Sequence, residues 1–135
     1  MLDYSLRNGG WIDEYYLKDE TEILIAEDNR EMVGFSILSH APWNLAEFRI
    51  ALHPYKLGMG IGNTLSLLTI RHGFRDPALH AIYLIVRKNN PRAQRLYESL
   101  GFRMQGECTE IVHGEPVAFN RMVIDRETFE GVDRT

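Results

Sequence analysis

Gly58, Gly60 and Gly62 alternate with Met59 and Ile61 where an alternating apolar stretch gives way to one with helical spacing. A glycine turn that opens a helix leaves backbone N–H groups unpaired at the positive end of the helix dipole, a ready receptor for an anionic group such as a phosphate. The same glycines also suit a plain strand end or close packing of a helix on a sheet, so the motif alone does not choose. What raises the ligand reading is context, because the turn lies between a strand ending at Pro54 and an apolar helix. Further along, Asn90-Pro91-Arg92-Ala93-Gln94-Arg95-Leu96-Tyr97-Glu98-Ser99-Leu100-Gly101-Phe102 sets a phenol, Tyr97, on the apolar face of a second helix. Such a phenol is either a hydrogen-bond donor to reacting atoms or a core aromatic whose hydroxyl is satisfied at a sheet edge.

The elements that must position these groups follow from periodicity. Glu22 to Asp28 and Met32 to Leu38 are two branched apolar runs joined by a polar turn, which predicts a hairpin. After the loop His40-Ala41-Pro42-Trp43-Asn44, the stretch Glu47 to Leu52 alternates, with Phe48, Ile50 and Leu52 on one face and Glu47, Arg49 and Ala51 on the other. From Ile61 to about Gly73 the spacing is helical, with Ile61, Leu65, Leu68 and His72 in one stripe and Leu67, Ile70 and Phe74 in another. Ala81 to Val86 is nearly continuous and apolar, the pattern of a central parallel strand covered on both faces. Asn90 as N-cap, Pro91 in the first turn and Gly101 past the end bound the second helix, whose buried face is Ala93, Leu96, Tyr97 and Leu100. Phe102 to Thr109 and Val117 to Ile124 make a closing antiparallel hairpin, and Thr128 to Thr135 read as a frayed end.

Other phosphate-binding turns fit less well. A Rossmann turn follows the first strand and precedes an acidic residue about twenty positions on, whereas this turn lies mid-chain after an antiparallel hairpin. A Walker loop requires Gly-Lys-Ser/Thr, which is absent. The glycine turn together with Asn90 and Tyr97-Glu98-Ser99-Leu100-Gly101-Phe102 resembles, in order and spacing, the GNAT superfamily of acetyl-CoA-dependent N-acetyltransferases. The resemblance runs from about Glu22 to Ile124. It implies one α/β domain, a mixed and mostly antiparallel sheet with flanking helices, splayed beside the turn to admit acetyl-CoA. It also implies cofactor contacts from Leu52, Lys56, Leu57, Gly58, Met59, Gly60, Ile61, Gly62, Asn63 and Asn90, with Gly58 to Asn63 on the pyrophosphate of coenzyme A. Turns of that family usually carry Arg or Gln where this chain has Leu57. Lys56 is the adjacent cation, either a flexible point charge toward the phosphates or an ordinary solvated lysine.

Acetyl transfer to a primary amine by direct attack needs a neutral amine, stabilised oxyanion charge and relief of charge on the departing sulfur. The resemblance places Tyr97 opposite that sulfur. A phenol with a pKa near 10 is a weaker acid than a thiol near 8.5, so a hydrogen bond is the smaller demand on it. Glu47, on the strand that leads to the turn, is the carboxylate best placed to take the ammonium proton. Strand period puts Arg49 on the same face, where a salt bridge would weaken Glu47 as a base. His53 titrates in the useful range or merely ends a strand, His40 and His113 fall in loops, and His72 and His80 read as helix-face and turn residues. Trp11, Asp13, Glu14, Tyr15 and Tyr16, with His40 to Asn44, occupy the positions where the family recognises its acceptor, and carboxylates beside aromatics suit an ammonium. A silent acyl-CoA sensor or assembly module would keep Gly60 and Gly62 without needing Tyr97 or a base.

Bulk properties agree. The 135 residues suit one domain, and the net charge of −4 argues against nucleic acid or an anionic membrane as partner. One cysteine, Cys108, excludes an internal disulfide and a CxxC metal pair, which fits a cytoplasmic protein without a metal. Met1 to Asn8 lacks a signal peptide's apolar core, and no apolar run approaches the ~18 residues of a membrane span. Relative to the resemblance the front end is short: Met1 to Leu6 can supply a brief strand, and the hairpin edge it leaves open suggests a homodimer that shields it.

Overall fold

The computed structural model describes residues 2–8, 21–56, 58 and 60–133. Its elements, in chain order, are β1 Leu2–Asn8, β2 Thr21–Asp28, β3 Glu31–Ala41, β4 Leu45–Leu52, α1 Ile61–Gly73, β5 Ala81–Arg87, α2 Pro91–Ser99, β6 Arg103–Val112, β7 Glu115–Asp125 and α3 Arg126–Asp133. The seven strands form one sheet in the order β1-β2-β3-β4-β5-β7-β6, and every pairing but one is antiparallel. This is the mixed, mostly antiparallel α/β arrangement that the sequence predicts.

The exception positions the site. β4 and β5 run parallel and pair only at Leu45↔Ala81, Ala46↔Ile82 and Glu47↔Tyr83, although β4 continues to Leu52 and β5 to Arg87. Beyond Glu47 the two strands part. β5 takes its long partnership on the other side, with β7, from Ala81↔Asp125 to Arg87↔Phe119. Coverage of β5 is also less than expected: Ile82, Leu84 and Val86 are buried, whereas Tyr83 and Ile85 on the opposite face are half-exposed.

The expected N-terminal strand is present as β1, antiparallel to β2 from Leu2↔Asp28 to Asn8↔Glu22. It covers the hairpin edge and becomes the edge itself. Asn29 and Arg30 turn that hairpin with φ of 51° and 72°, the left-handed pair a two-residue turn requires. His40, expected in a loop, is the penultimate residue of β3. The connection to β4 is a single tight turn at Pro42–Asn44, whose Asn44 carbonyl accepts the His80 N–H at 2.7 Å.

α1 spans the predicted residues but buries a different face. Ile61, Leu65 and Ile70 are buried with Ser66, Thr69 and Gly73, while Leu67, Leu68 and His72 are half-exposed. Small and hydroxylic residues face the sheet because α1 lies close to it. A Cβ on Gly73 would come within 2.7 Å of Leu38, and the Thr69 and Ser36 hydroxyls bond across the interface at 2.5 Å. α2 matches in both boundaries: the Asn90 side chain accepts the Ala93 N–H at 3.2 Å, and Gly101, at φ +108°, turns the chain out of the helix.

The C-terminal segment is a helix where the sequence predicts fraying. Phe129 is 4% exposed and stacks on Phe74 at 5.3 Å. Arg126 reaches the carbonyls of Phe74, Asp76 and Leu79 at 2.5–2.9 Å, so α3 is riveted to the α1–β5 connection. Burial of one phenyl ring, worth about 3 kcal/mol by truncation, outweighs the weak propensity of an eight-residue charged helix.

Candidate active site

A cleft of about 500 Å³ opens on the helix-bearing face beside the parted strands, lined by Ile50, Leu52, Gly58, Gly60, Gly62, Asn63, Asn90, Arg92, Ala93, Leu96 and Tyr97. Two sequence motifs thus meet in one space. Gly58 and Gly60 adopt φ of +84° and +78°, backbone that side chains with a Cβ rarely tolerate. Gly60 is the N-cap of α1 and has no side chain to cap it. The first intrahelical bond uses the Thr64 N–H, leaving those of Ile61, Gly62 and Asn63 without acceptors in the helix. These N–H groups, the Asn63 and Asn90 side chains and the dipole make one end of the cleft a receptor for an anion. Ile50, Leu52, Ala93 and Leu96 supply an apolar wall, and a Cβ on Gly62 would crowd Leu52 at 3.1 Å. A chain with a charged diphosphate end and a long uncharged arm fits this lining.

Tyr97 lies about 9 Å along the α2 axis from Pro91, at 1.5 Å per residue. Its ring is 7% exposed and meets Phe48 and Phe102 edge-on at 6.2 and 5.9 Å. Burial pushes its hydroxyl up to about 12, so it stays protonated across the working range. No described residue bonds that hydroxyl, although Tyr97 lines the cleft. The ring is thus part of the core, while the hydroxyl is not satisfied at a sheet edge by any described residue.

Glu47 does not line the cleft. It lies on the opposite face of β4, at the last paired residue before the strands part, and the expected ion pair is present, with Arg49 donating at 3.0 Å. Beside it the Tyr83 ring carries the Arg121 guanidinium at 3.9 Å, and burial raises the Tyr83 hydroxyl, with the neighbouring Glu47 charge adding to the effect. Glu47 and Phe48 are adjacent in the chain and point to opposite faces, so the carboxylate and the Tyr97 ring flank the point of divergence.

Other expectations divide. Of the residues expected to contact the cofactor, Leu52, Gly58, Gly60, Gly62, Asn63 and Asn90 line the cleft. The Ile61 side chain is 1% exposed and packs on Ala26, Val33 and Leu65, so only its backbone is available. Leu57, Met59, the Lys56 side chain and Trp11 to Tyr16 lie outside the described residues. His40, Ala41, Pro42 and Asn44 line a separate hollow. His40 and His72 both bond the Glu22 carboxylate, His53 accepts the Tyr55 N–H at 3.2 Å, and His113 forms the β6–β7 turn. None of these histidines lines the cleft. Arg92, unmarked in the sequence, does. Its exposed position after a helix cap reads as ordinary surface until the fold brings Gly58 beside it.

The sequence pattern of the acetyltransferase (GNAT) family matches residues 3–102, and this chain belongs to that family, whose members use acetyl-CoA. It is 35% identical over 85 residues to a mycothiol acetyltransferase of Thermomonospora curvata, covering 62% of this chain and 28% of that one. It is also 30% identical over 109 residues to a spermidine N(1)-acetyltransferase of Vibrio cholerae, covering 78% and 63%. The matches thus span less than two thirds of these relatives' own lengths. Among solved structures, a Vibrio cholerae spermidine N-acetyltransferase chimera superposes with a TM-score of 0.76 at 27% identity, over 87% of this chain and 74% of that one.

Proposed function

We propose that this domain transfers the acetyl group of acetyl-CoA to a primary amine of a small molecule. The observation that carries this is the cleft itself, in which the helix-opening donors of Ile61, Gly62 and Asn63 and the hydroxyl of a buried Tyr97 share one apolar channel. Gly58 to Asn63 and Asn90 hold the phosphates, and Leu52 packs on the uncharged arm. Acetyl-CoA supplies the activated acetyl group as a thioester. The Tyr97 hydroxyl donates a hydrogen bond toward the sulfur, where negative charge grows as the acetyl group leaves. Glu47, across the divergence of β4 and β5, takes the proton of the incoming ammonium, with Arg49 orienting one carboxylate oxygen. Use of acetyl-CoA is in keeping with a cytoplasmic location. The relatives named for spermidine and mycothiol support an amine of low molecular weight as acceptor.

The test is thiol release from acetyl-CoA across a panel of polyamines, amino acids, amino sugars and peptides. At least one amine is expected to accelerate release far above the amine-free rate, with the acetylated product identified by mass. Binding of CoA without acceleration by any amine would replace the transferase by a silent acyl-CoA module.

The outer edge of β1, with Leu2 38% and Leu6 50% exposed, also leads us to infer that two copies pair at this end. Light scattering after size exclusion should return twice the chain mass at micromolar concentration. A monomer with full activity would show that the edge needs no partner.

A further inference from the structure

We propose that Arg92 binds the diphosphate of coenzyme A, supplying from α2 the positive charge that Leu57 does not provide from the glycine turn; the proposal rests on the acetyl-CoA reading of the cleft. Its terminal Nη2 lies 3.5 Å from where a Cβ on Gly58 would stand, so the guanidinium hangs over the turn from the opposite wall. Arg92 is the one charged side chain among the described residues lining the cleft, and no described carboxylate pairs with it.

Its location disfavours a merely structural role. Arg92 follows Pro91 in the first turn of α2, where the helix dipole is positive and a cation is unfavourable. The unpaired N–H groups that open α1 face the same cleft. Two positive helix ends and a guanidinium around one apolar channel leave positive charge that an anion would neutralise. A planar fork can bridge two phosphate oxygens, which an ammonium on a flexible stem does less well. The diphosphate is favoured over the 3′-phosphate because Arg92 lies over Gly58, in the turn whose neighbouring backbone donors receive it.

Calorimetric titration of wild type, Arg92→Gln and Arg92→Lys with CoA and with dephospho-CoA tests this. Arg92→Gln should weaken both ligands about tenfold or more, Arg92→Lys should recover part of the loss, and the thermal transition should not fall because the side chain is exposed. Undiminished affinity in Arg92→Gln would overturn the proposal. A loss seen with CoA but not with dephospho-CoA would also overturn it, by moving Arg92 to the 3′-phosphate. Failure of the wild type to bind either ligand would overturn the acetyl-CoA reading beneath it.

Discussion

Replacing Tyr97 by Phe is expected to lower kcat about a hundredfold while the Kd for CoA stays within about twofold. The substitution removes one oxygen and leaves a ring that Phe48 and Phe102 still grip edge-on, so packing and the apolar channel persist. The lost interaction matters only where charge appears on sulfur, which is the condition for an effect on kcat rather than on binding. With the hydroxyl raised to about 12 and a thiol near 8.5, full proton transfer would be uphill by about 5 kcal/mol. On the proposed role Tyr97 is therefore expected to act as a neutral donor, and its own ionisation should leave no limb in the pH–rate profile between pH 6 and about pH 9. Steady-state kinetics on the folded variant decide the matter. An unchanged kcat would return Tyr97 to the core and leave the sulfur to water.

Gly60→Val should reduce CoA affinity by about tenfold or more. A Cβ at Gly60 meets nothing within 4 Å, so crowding plays no part and the whole effect is backbone. At φ +78° the left-handed conformation costs a residue with a Cβ roughly 1–2 kcal/mol, and a β-branched one more. The chain escapes that cost by rotating the turn, which swings the first N–H groups of α1 off the cleft. Gly106→Val is the control, since that glycine also has open space but no positive φ. Equal titrations for Gly60→Val and wild type would show that the turn does not hold the phosphates.

Local chemistry was legible in the sequence and tertiary chemistry was not. The bounds of α2 were readable because Asn90, Pro91 and Gly101 act within a few residues of themselves. The glycine turn and Tyr97 were readable for the same reason, each lying in one continuous motif. The buried face of α1 was misread because hydrophobicity does not report that Ser36 and Thr69 satisfy each other across an interface, or that Gly73 admits Leu38. α3 was missed because its anchors, Phe74 and the carbonyls held by Arg126, lie about fifty residues away in sequence. His40 was misassigned to a loop because Pro42 and Trp43 signal irregular chain, yet strand pairing with β4 carries β3 through Ala41. Arg92 carried no signal because its meaning depends on Gly58, in a different element.

The three residue pairs that join β4 to β5 have a mechanical meaning. They are the single seam in a sheet that otherwise consists of two antiparallel plates, β1 to β4 and β5 with β7 and β6, each continuously laced within itself. The cleft lies along this seam, with Leu52 and Ile50 on one plate and α2 leading from the other. A ligand that filled it would touch β4 on one side and α2, which leads from β5, on the other, across the end that the backbone leaves unlaced. Ligand binding and cohesion of the domain are then one free energy seen from two sides: a ligand that spans the cleft would also strengthen the junction between the plates.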